Sequence, residues 1–447
     1  MARWDHKTAI AASFREQHPD FVPFGEFVEE CTEIVRPFEE PEKEWPVYGV
    51  NNQSGVFFSH WQRGEQFNSS YKRIKKDWFF HNPTRVNVGS IGRVPEVESE
   101  ALTSPEYQVW RLKDNEWFPE FVEILIKMPF FNELVQVHRV GAVKQRLYAQ
   151  NMMDIPVPPC TRSQQEKIVA RWQSLNAEAD LAQYEAETIE NNALRWFLKE
   201  SGIVIADLNS RPRTFAMSFN DLGRWGVAFN RQKWSLSTLL TSSLFPIRPL
   251  SEVAEVNPGL SLSSLSNDAE VTFVPMEAVS DYSGEIVTPS VKTYGEVSQG
   301  YTKFQNEDIL WAKITPCMQN GKSAVASSLI NGVGFGSTEF HVVRIKATFE
   351  LLPEYVWLIL RLPEVRKAAT RYFIGSAGQQ RVPADFLEEL PIPILPKEIQ
   401  VKLLSKIASA RETAARKRQI AKELRETAKD EINATLLGIS STSTKEE

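Results

Sequence analysis

The stretch nearest to a nucleotide-binding signature is "NGKSA", beginning at Asn320. A phosphate-cradling loop needs a glycine five residues before the Gly of its Gly-Lys-Ser, and Pro316 stands at that position. The 6 histidines are scattered, with no HxxxH, and Cys31, Cys160 and Cys317 form no CxxC or CxxH. A zinc site or a nucleophile–His pair therefore has no local support. "HNPTR" and "VNPGL" each contain Asn-Pro but lack the second proline and the aromatic of an amino-methyltransferase loop. No Gly-rich strand–loop stands out for S-adenosylmethionine, and no carboxylates fall in a nuclease spacing. The expectation is a chain that is not an enzyme and holds no cofactor or metal.

Binding chemistry is better represented. "YKRIKK" gathers Lys72, Arg73, Lys75 and Lys76 beside Tyr71, a cluster suited to phosphate contact or to a solvated face before a strand. "GSAGQQR" offers Gln379, Gln380 and Arg381 after two glycines that permit close backbone approach. Its counterpart offers Lys144, Gln145 and Arg146 after Gly141. Gln, Asn and Arg are the side chains that read base edges; a structural turn is the alternative use of such a loop. A second candidate region comprises Lys313, Thr315, Gln319, Asn320 and Lys322, answered by Asn82, Thr84, Arg85, Asn87 and Ser90. An ordinary polar loop is its alternative.

The elements that must position these residues come in duplicate. "FPEFVEILIKMPFF" from Phe118 is echoed by "LPEYVWLILRLPEV" from Leu352, an offset of 352 − 118 = 234. "SPEYQVWRL" from Ser104 matches "STEFHVVRI" from Ser337, and both alternate as strands do. "YKRIKKDWFF" answers "YTKFQNEDILW", "FVPFGEFVEE" loosely answers "PIRPLSEVAE", and "DIPVPP" answers "ELPIPI". Order is kept throughout, which indicates a tandem duplication of a domain-sized unit.

Each copy closes on prolines and then a long helical pattern. Apolar residues at Ile168, Trp172, Leu175, Ala179, Ala182, Ala186, Ile189, Ala193 and Trp196 step by four and three, the heptad seam of a coiled coil. Adding 235 gives Leu403, Ile407, Ala410, Ala414, Lys417, Ala421, Leu424, Ala428 and Glu431, with only Lys417 and Glu431 polar. The seam's partner is the other helix of the chain, helices of a partner protein, or both. Connectivity then requires the two helices to run antiparallel with one globular head at each end, about 55 Å apart. The expected class is α+β: two tandem pseudo-repeat domains joined by two long antiparallel coiled-coil helices, a dumbbell with a pseudo-two-fold axis. Its expected divisions are 1–158 and 203–394 for the heads, the latter including a linker whose "LGRWGVAFNRQKW" reads as a lead-in strand. The helices are expected at 159–202 and 395–438, with a disordered tail at 439–447.

With 447 residues, 42% hydrophobic and 24% charged, the chain has the composition of a globular multidomain protein. No apolar run approaches a membrane span. Three dispersed cysteines and no secretory h-region point to the cytoplasm. The net charge of −6 implies that any nucleic-acid contact uses a small local field or a more basic partner.

The pattern resembles the specificity subunit of type I restriction–modification systems. The resemblance spans most of the chain. It rests on "DIPVPPCTRSQQEKIVARW", "ELPIPILPKEIQVKLLSKI", "EDILWAKITP" and "GSAGQQR". The family's Glu-Gln pair inside each helix is blurred here to Gln164-Gln165-Glu166 and Glu398-Ile399-Gln400. "KDWFFHNPTRVNVG" in the first copy departs further from the family than the second copy does. The resemblance implies a non-catalytic reader of double-stranded DNA, one half of a split, asymmetric target per domain. It implies anchoring of two methyltransferase subunits and, through them, restriction motor subunits. S-adenosylmethionine, and ATP with magnesium where motors are present, would then be bound by those partners. The competing reading is a scaffold of the same shape whose heads bind proteins.

Overall fold

The computed structural model describes residues 6–98, 100–113, 116–207, 214, 216, 218–219, 227–263, 265–376 and 378–438. The expected tail at 439–447 lies outside them, as does much of the linker. The chain forms two compact units, Met1–Glu185 with Arg416–Glu447, and Ala186–Ala415. Both divisions fall inside long helices, Arg162–Glu200 and Lys397–Leu436, because the two halves of each helix pack on different cores.

The first unit contains an antiparallel pair, Val22–Pro23 with Pro156–Val157. Beside it is an antiparallel sheet in the order Val28–Glu30, Gln108–Leu112, Phe79–His81, Ile91–Arg93. A second sheet runs Ile34–Val35, Tyr71–Arg73, Leu102–Thr103, Glu44–Asn51, Gly55–Arg63, with one parallel pair, Leu102–Thr103 on Glu44–Asn51.

The second unit repeats this plan. Ile247–Pro249 pairs with Pro391–Pro393. The antiparallel sheet runs Ala254–Val256, Phe340–Ile345, Ile309–Ala312, Ser323–Val325. The other sheet runs Thr302–Gln305, Val333–Gly336, Glu270–Val274, Ser290–Thr293, and its one parallel pair, Glu270–Val274 on Val333–Gly336, is the equivalent one. In this sheet the first unit has the additional edge strand Ile34–Val35. Two units with the same strand order and the same lone parallel pair bear out the duplication read from the sequence.

The fourteen-residue echo forms parts of two helices in each copy. Pro119–Leu125 is followed by Pro129–His138, and Pro353–Leu360 by Pro363–Ala369. A proline at the first helical position starts each one, since its missing N–H costs nothing there. Every residue from Tyr355 to Leu360 is buried, which explains why that stretch is apolar without periodicity. The linker segment expected as a lead-in strand is instead the helix Val227–Ser237. Three apolar residues followed by Asn-Arg-Gln-Lys break the period-two alternation that a half-buried strand needs. The strand partners there are Ile203–Ile205 and Leu240–Ser242.

Candidate nucleic-acid interface

The long helices anchor each unit through one buried glutamine. In the first unit Gln165 accepts a hydrogen bond from the Phe118 N–H (3.0 Å) and donates to the carbonyls of Glu116 (3.1 Å) and Cys160 (2.9 Å). In the second, Gln400 accepts from the Leu352 N–H (2.8 Å) and donates to Glu350 (2.9 Å) and Leu395 (2.7 Å). Both side chains are fully buried, and 400 − 165 = 235 is the repeat offset. Each amide therefore ties the start of a long helix to the helix whose first turn begins at Pro119 or Pro353. The blurred Glu-Gln signature keeps the residue that makes this tie.

Within each unit the long helices run antiparallel. Arg171 pairs with Glu431 (2.7 Å), Asp180 with Arg425 (2.7 Å) and Glu185 with Lys417 (2.6 Å) in the first unit, and Glu200 with Lys402 (3.7 Å) in the second. The seam residues Ile168, Leu175, Ala179, Ala182, Leu403, Ile407, Ala421 and Ala428 are buried, while Trp172, Ile189 and Leu424 are half-buried. The two polar interruptions, Lys417 and Glu431, each take part in one of these cross-helix ion pairs. At its far end the seam is closed by Phe197, 1% exposed, in place of the expected Trp196. Ile432 replaces Glu431 as the buried residue.

The two candidate loop regions of each copy meet. In the second unit the Thr315 N–H donates to Gln380 O (3.0 Å) and the Val382 N–H to Lys313 O (2.9 Å). In the first, the Leu147 N–H donates to Pro83 O (3.0 Å), the equivalent bond, and the Arg139 guanidinium reaches Gln145 O (2.9 Å). The glycine loops are hairpins closed by matching bridges, Val140 on Arg146 and Ile374 on Arg381. Gly141 (φ +111) and Gly375 (φ +108) open them in a backbone region that L side chains avoid. A Cβ at Gly141 would also stand 2.7 Å from Lys144 O.

On these composite patches Thr84, Arg85, Lys144, Arg146, Gln319, Asn320 and Gln379 are exposed. Asn82, Asn87, Gln145, Lys313, Thr315 and Gln380 are half-buried. Ser90 is buried, 4% exposed, so it is part of the turn's interior rather than its contact face. Arg381 is already engaged: its fork meets Glu339 at 2.9 and 2.7 Å and its Nη1 donates to Gln379 O (2.9 Å). That pairing holds the Glu339 carboxyl below its ordinary range. Lys322 turns inward to Met276 O (3.1 Å), and the Thr315 hydroxyl donates to Gln319.

The basic cluster is less free than its sequence suggests. Lys72, half-buried, donates to Tyr107 O (2.7 Å), and burial lowers its pKa. Lys75 pairs with Glu33 (2.9 Å) and lies over the Trp78 ring. Lys76 pairs with Glu96 (2.5 Å), and Arg73 is half-buried on its strand. Lys76 and Asn87 line one cleft of about 970 Å³, together with the hairpin tip Asn51–Gly55 and with Arg425 and Lys429 of the second long helix. Among the described residues no His, Cys, Asp or Glu cluster is arranged to hold a metal ion. No described helix is long and apolar enough to cross a membrane.

Comparison with known proteins bears on what such a surface serves. Residues 244–426 match the family model for the type I restriction modification DNA specificity domain. The chain is 39% identical over 155 residues to the type I restriction enzyme EcoEI specificity subunit of Escherichia coli. It is 39% identical over 158 residues to the EcoAI specificity subunit of the same organism. Each match covers 35% of this chain and 26% of the relative, so the chain accounts for about a quarter of those proteins' length. A chain solved in a study of complex assembly and conformational transition of the type I R-M system shares the fold. Its TM-score is 0.53 at 15% identity, covering 93% of this chain and 96% of that one.

Proposed function

We propose that the chain, whose residues 244–426 match the family model for the type I restriction modification DNA specificity domain, is a sequence-specific reader of double-stranded DNA. Each unit reads one half of a split target through its composite patch. The observation that carries this reading is the pairing of those patches: equivalent backbone bonds hold two polar loops together in both units, while the residues displayed differ. Thr84, Arg85, Lys144 and Arg146 face outward in one; Gln319, Asn320 and Gln379 do so in the other. A shared frame with different polar side chains suits two unlike half-sites.

The long helices set the gap between the half-sites. At about 1.5 Å per residue, the helix Arg162–Glu200 is on the order of 58 Å long. Their exposed apolar residues, Leu181, Tyr184 and Ile420 in the first unit and Val401 in the second, offer each unit its own docking surface for a methyltransferase subunit, which supplies the chemistry and its cofactors. The chain itself transfers no group.

The competing reading is a scaffold whose heads bind proteins, supported by the net charge of −6 and by the carboxylates opposite Lys75 and Lys76. Footprinting at low salt, with and without a methyltransferase subunit, separates the two. Protection of two short tracts around an unprotected gap supports the DNA reader. No protection in either condition supports the scaffold.

A further inference from the structure

The turn that displays Gln319 and Asn320 is held from beneath by two arginines. Its own bonds coil it: the Met318 N–H donates to Ile314 O (2.9 Å), Asn320 to Pro316 (3.0 Å) and Lys322 to Cys317 (3.0 Å). Arg361, which ends the helix Pro353–Leu360, donates through Nη1 to Gly321 O (2.7 Å). Arg366, on the helix Pro363–Ala369, donates to Gln319 O (2.5 Å) and through Nε to Arg361 O (3.3 Å). The carbonyls on either side of Asn320 are thus fixed by a helix pair rooted in the unit's core. Gly321 has φ +85, and a Cβ there would press on the Arg366 guanidinium at 3.0 Å.

Arg361 also faces the long helices. Its Nη2 donates to Asp281 O and Tyr282 O (both 2.9 Å), and the Tyr282 hydroxyl donates to Glu190 of the first long helix (2.9 Å). Its guanidinium lies 5.2 Å from the centre of the Trp357 ring, which Arg411 of the second long helix also approaches, at 4.8 Å. Gly284 is required at this junction, because a Cβ would stand 2.3 Å from Trp357.

We infer that Arg361, with Arg366, is a positioning residue for target reading by the second unit: it registers the turn 314–322 against both long helices, so that Gln319 and Asn320 meet base edges at a fixed depth. The inference rests on the DNA-reading proposal and specifies how one patch obtains its precision. A planar fork that bridges three carbonyls at fixed angles suits this role, and an ammonium cannot reproduce it. Burial and the charges of Arg411 and Arg366 lower the pKa of Arg361 to about 10, so it stays cationic at neutral pH.

The test is selection from a randomised duplex DNA pool by the full chain in its native complex, comparing the unmodified protein with Arg361→Gln and Arg361→Lys. Circular dichroism establishes that each variant is folded. The expected result is that base discrimination in one half-site falls about tenfold with Gln, falls less with Lys, and is unchanged in the other half-site. Unaltered discrimination in both halves, or an equal loss in both, overturns the inference while leaving the DNA-reading proposal intact. A wild-type complex that selects no motif overturns both. Should Arg361→Gln not fold, Arg366→Met carries the same test, because its side chain is half-exposed and makes one bond to the turn.

Discussion

The two units share a frame and differ in what has been built into it. The arginine on the central strand is Arg111 in one and Arg344 in the other, at an offset of 344 − 111 = 233. Arg111 pairs with Glu29 at the surface (2.7 Å), both partners about half-exposed. Arg344 forks onto Asp308 (2.6 Å), whose side chain is only 1% exposed and also accepts the Gln305 N–H (2.8 Å). The same contrast holds beneath the contact loops. Where the second unit has Trp357, Arg361, Arg366 and Arg411, the first has Glu123, Lys127, Asn132 and Asn176 at the repeat offsets. Lys127 there pairs with Glu123 (2.8 Å). The first unit is elaborated elsewhere, in the hairpin Glu44–Asn51 and Gly55–Arg63, which exposes Phe58 (45%) and Trp61 (50%). Its counterpart strand, Ser290–Thr293, has 4 residues. Duplicated frames can therefore carry equivalent positions in opposite electrostatic settings, so a residue's role does not transfer across the repeat with its letter.

The largest expected effect breaks the arginine contrast. Arg344→Ala leaves a buried carboxylate without its partner and should cost about 3–5 kcal/mol. Arg111→Ala removes an exposed pair and should cost about 0.5 kcal/mol. Chemical denaturation of the two variants checks this; equal costs would remove the distinction between the units.

Next comes acid sensitivity. His81 is fully buried, its Nε2–H donating to Leu147 O (3.0 Å), and burial depresses its pKa from 6.5 to about 4. The folded state thus keeps a neutral ring while the unfolded chain takes up a proton near pH 6.5. Stability is full above that pH and falls as pH drops towards 4, by about 3 kcal/mol in all. In the second unit the equivalent carbonyl, Val382 O, receives His341 from the neighbouring strand (2.8 Å), backed by Asn257 (3.0 Å). Burial lowers the His341 pKa too. His81→Gln should flatten the part of the pH 7-to-5 stability difference that belongs to the first unit, and His341→Gln the part of the second.

The glutamine ties sharpen the comparison from the other side, because here the units agree. Gln165→Ala and Gln400→Ala each strand one N–H and two carbonyls, and each should cost about 2 kcal/mol. Unequal melting shifts would mean that the shared frame is not equally important in both copies. The smallest effect concerns the basic cluster, a feature of the first unit alone. Lys75→Ala and Lys76→Ala should each lower the log–log salt slope of DNA binding by about one. An unchanged slope would take them out of the footprint.

Much of the frame was legible in the sequence because it is written twice. The strand Gln108–Leu112, the proline-led helices and the heptad seam each have a second copy to check against. The linker helix Val227–Ser237 has no counterpart, and its sequence pattern alone reads as a strand. Heptad arithmetic points to Trp196 rather than Phe197 because it drifts against a 3.6-residue turn by the end of a 39-residue helix. The loops around Lys313 and Gln380 were identifiable by composition, but their meeting is a tertiary fact. What composition could not reveal is which cations are already taken. Arg381 and Lys322 look free as letters, yet their donors point at Glu339 and Met276. The arginines beneath the turn were missed for the same reason: Arg361 and Arg366 sit among apolar helix residues, and their acceptors are backbone carbonyls about 40 residues away.

The central claim is that two separately framed patches read DNA across a distance set by the long helices. It is tested most directly by sequencing the methylated motif in DNA from cells carrying the intact system, before and after a whole-heptad deletion in both helices. The account predicts a motif of two unequal halves around a fixed gap, with both halves retained and only the gap shortened by the deletion. A single contiguous motif, or a gap indifferent to helix length, would contradict it.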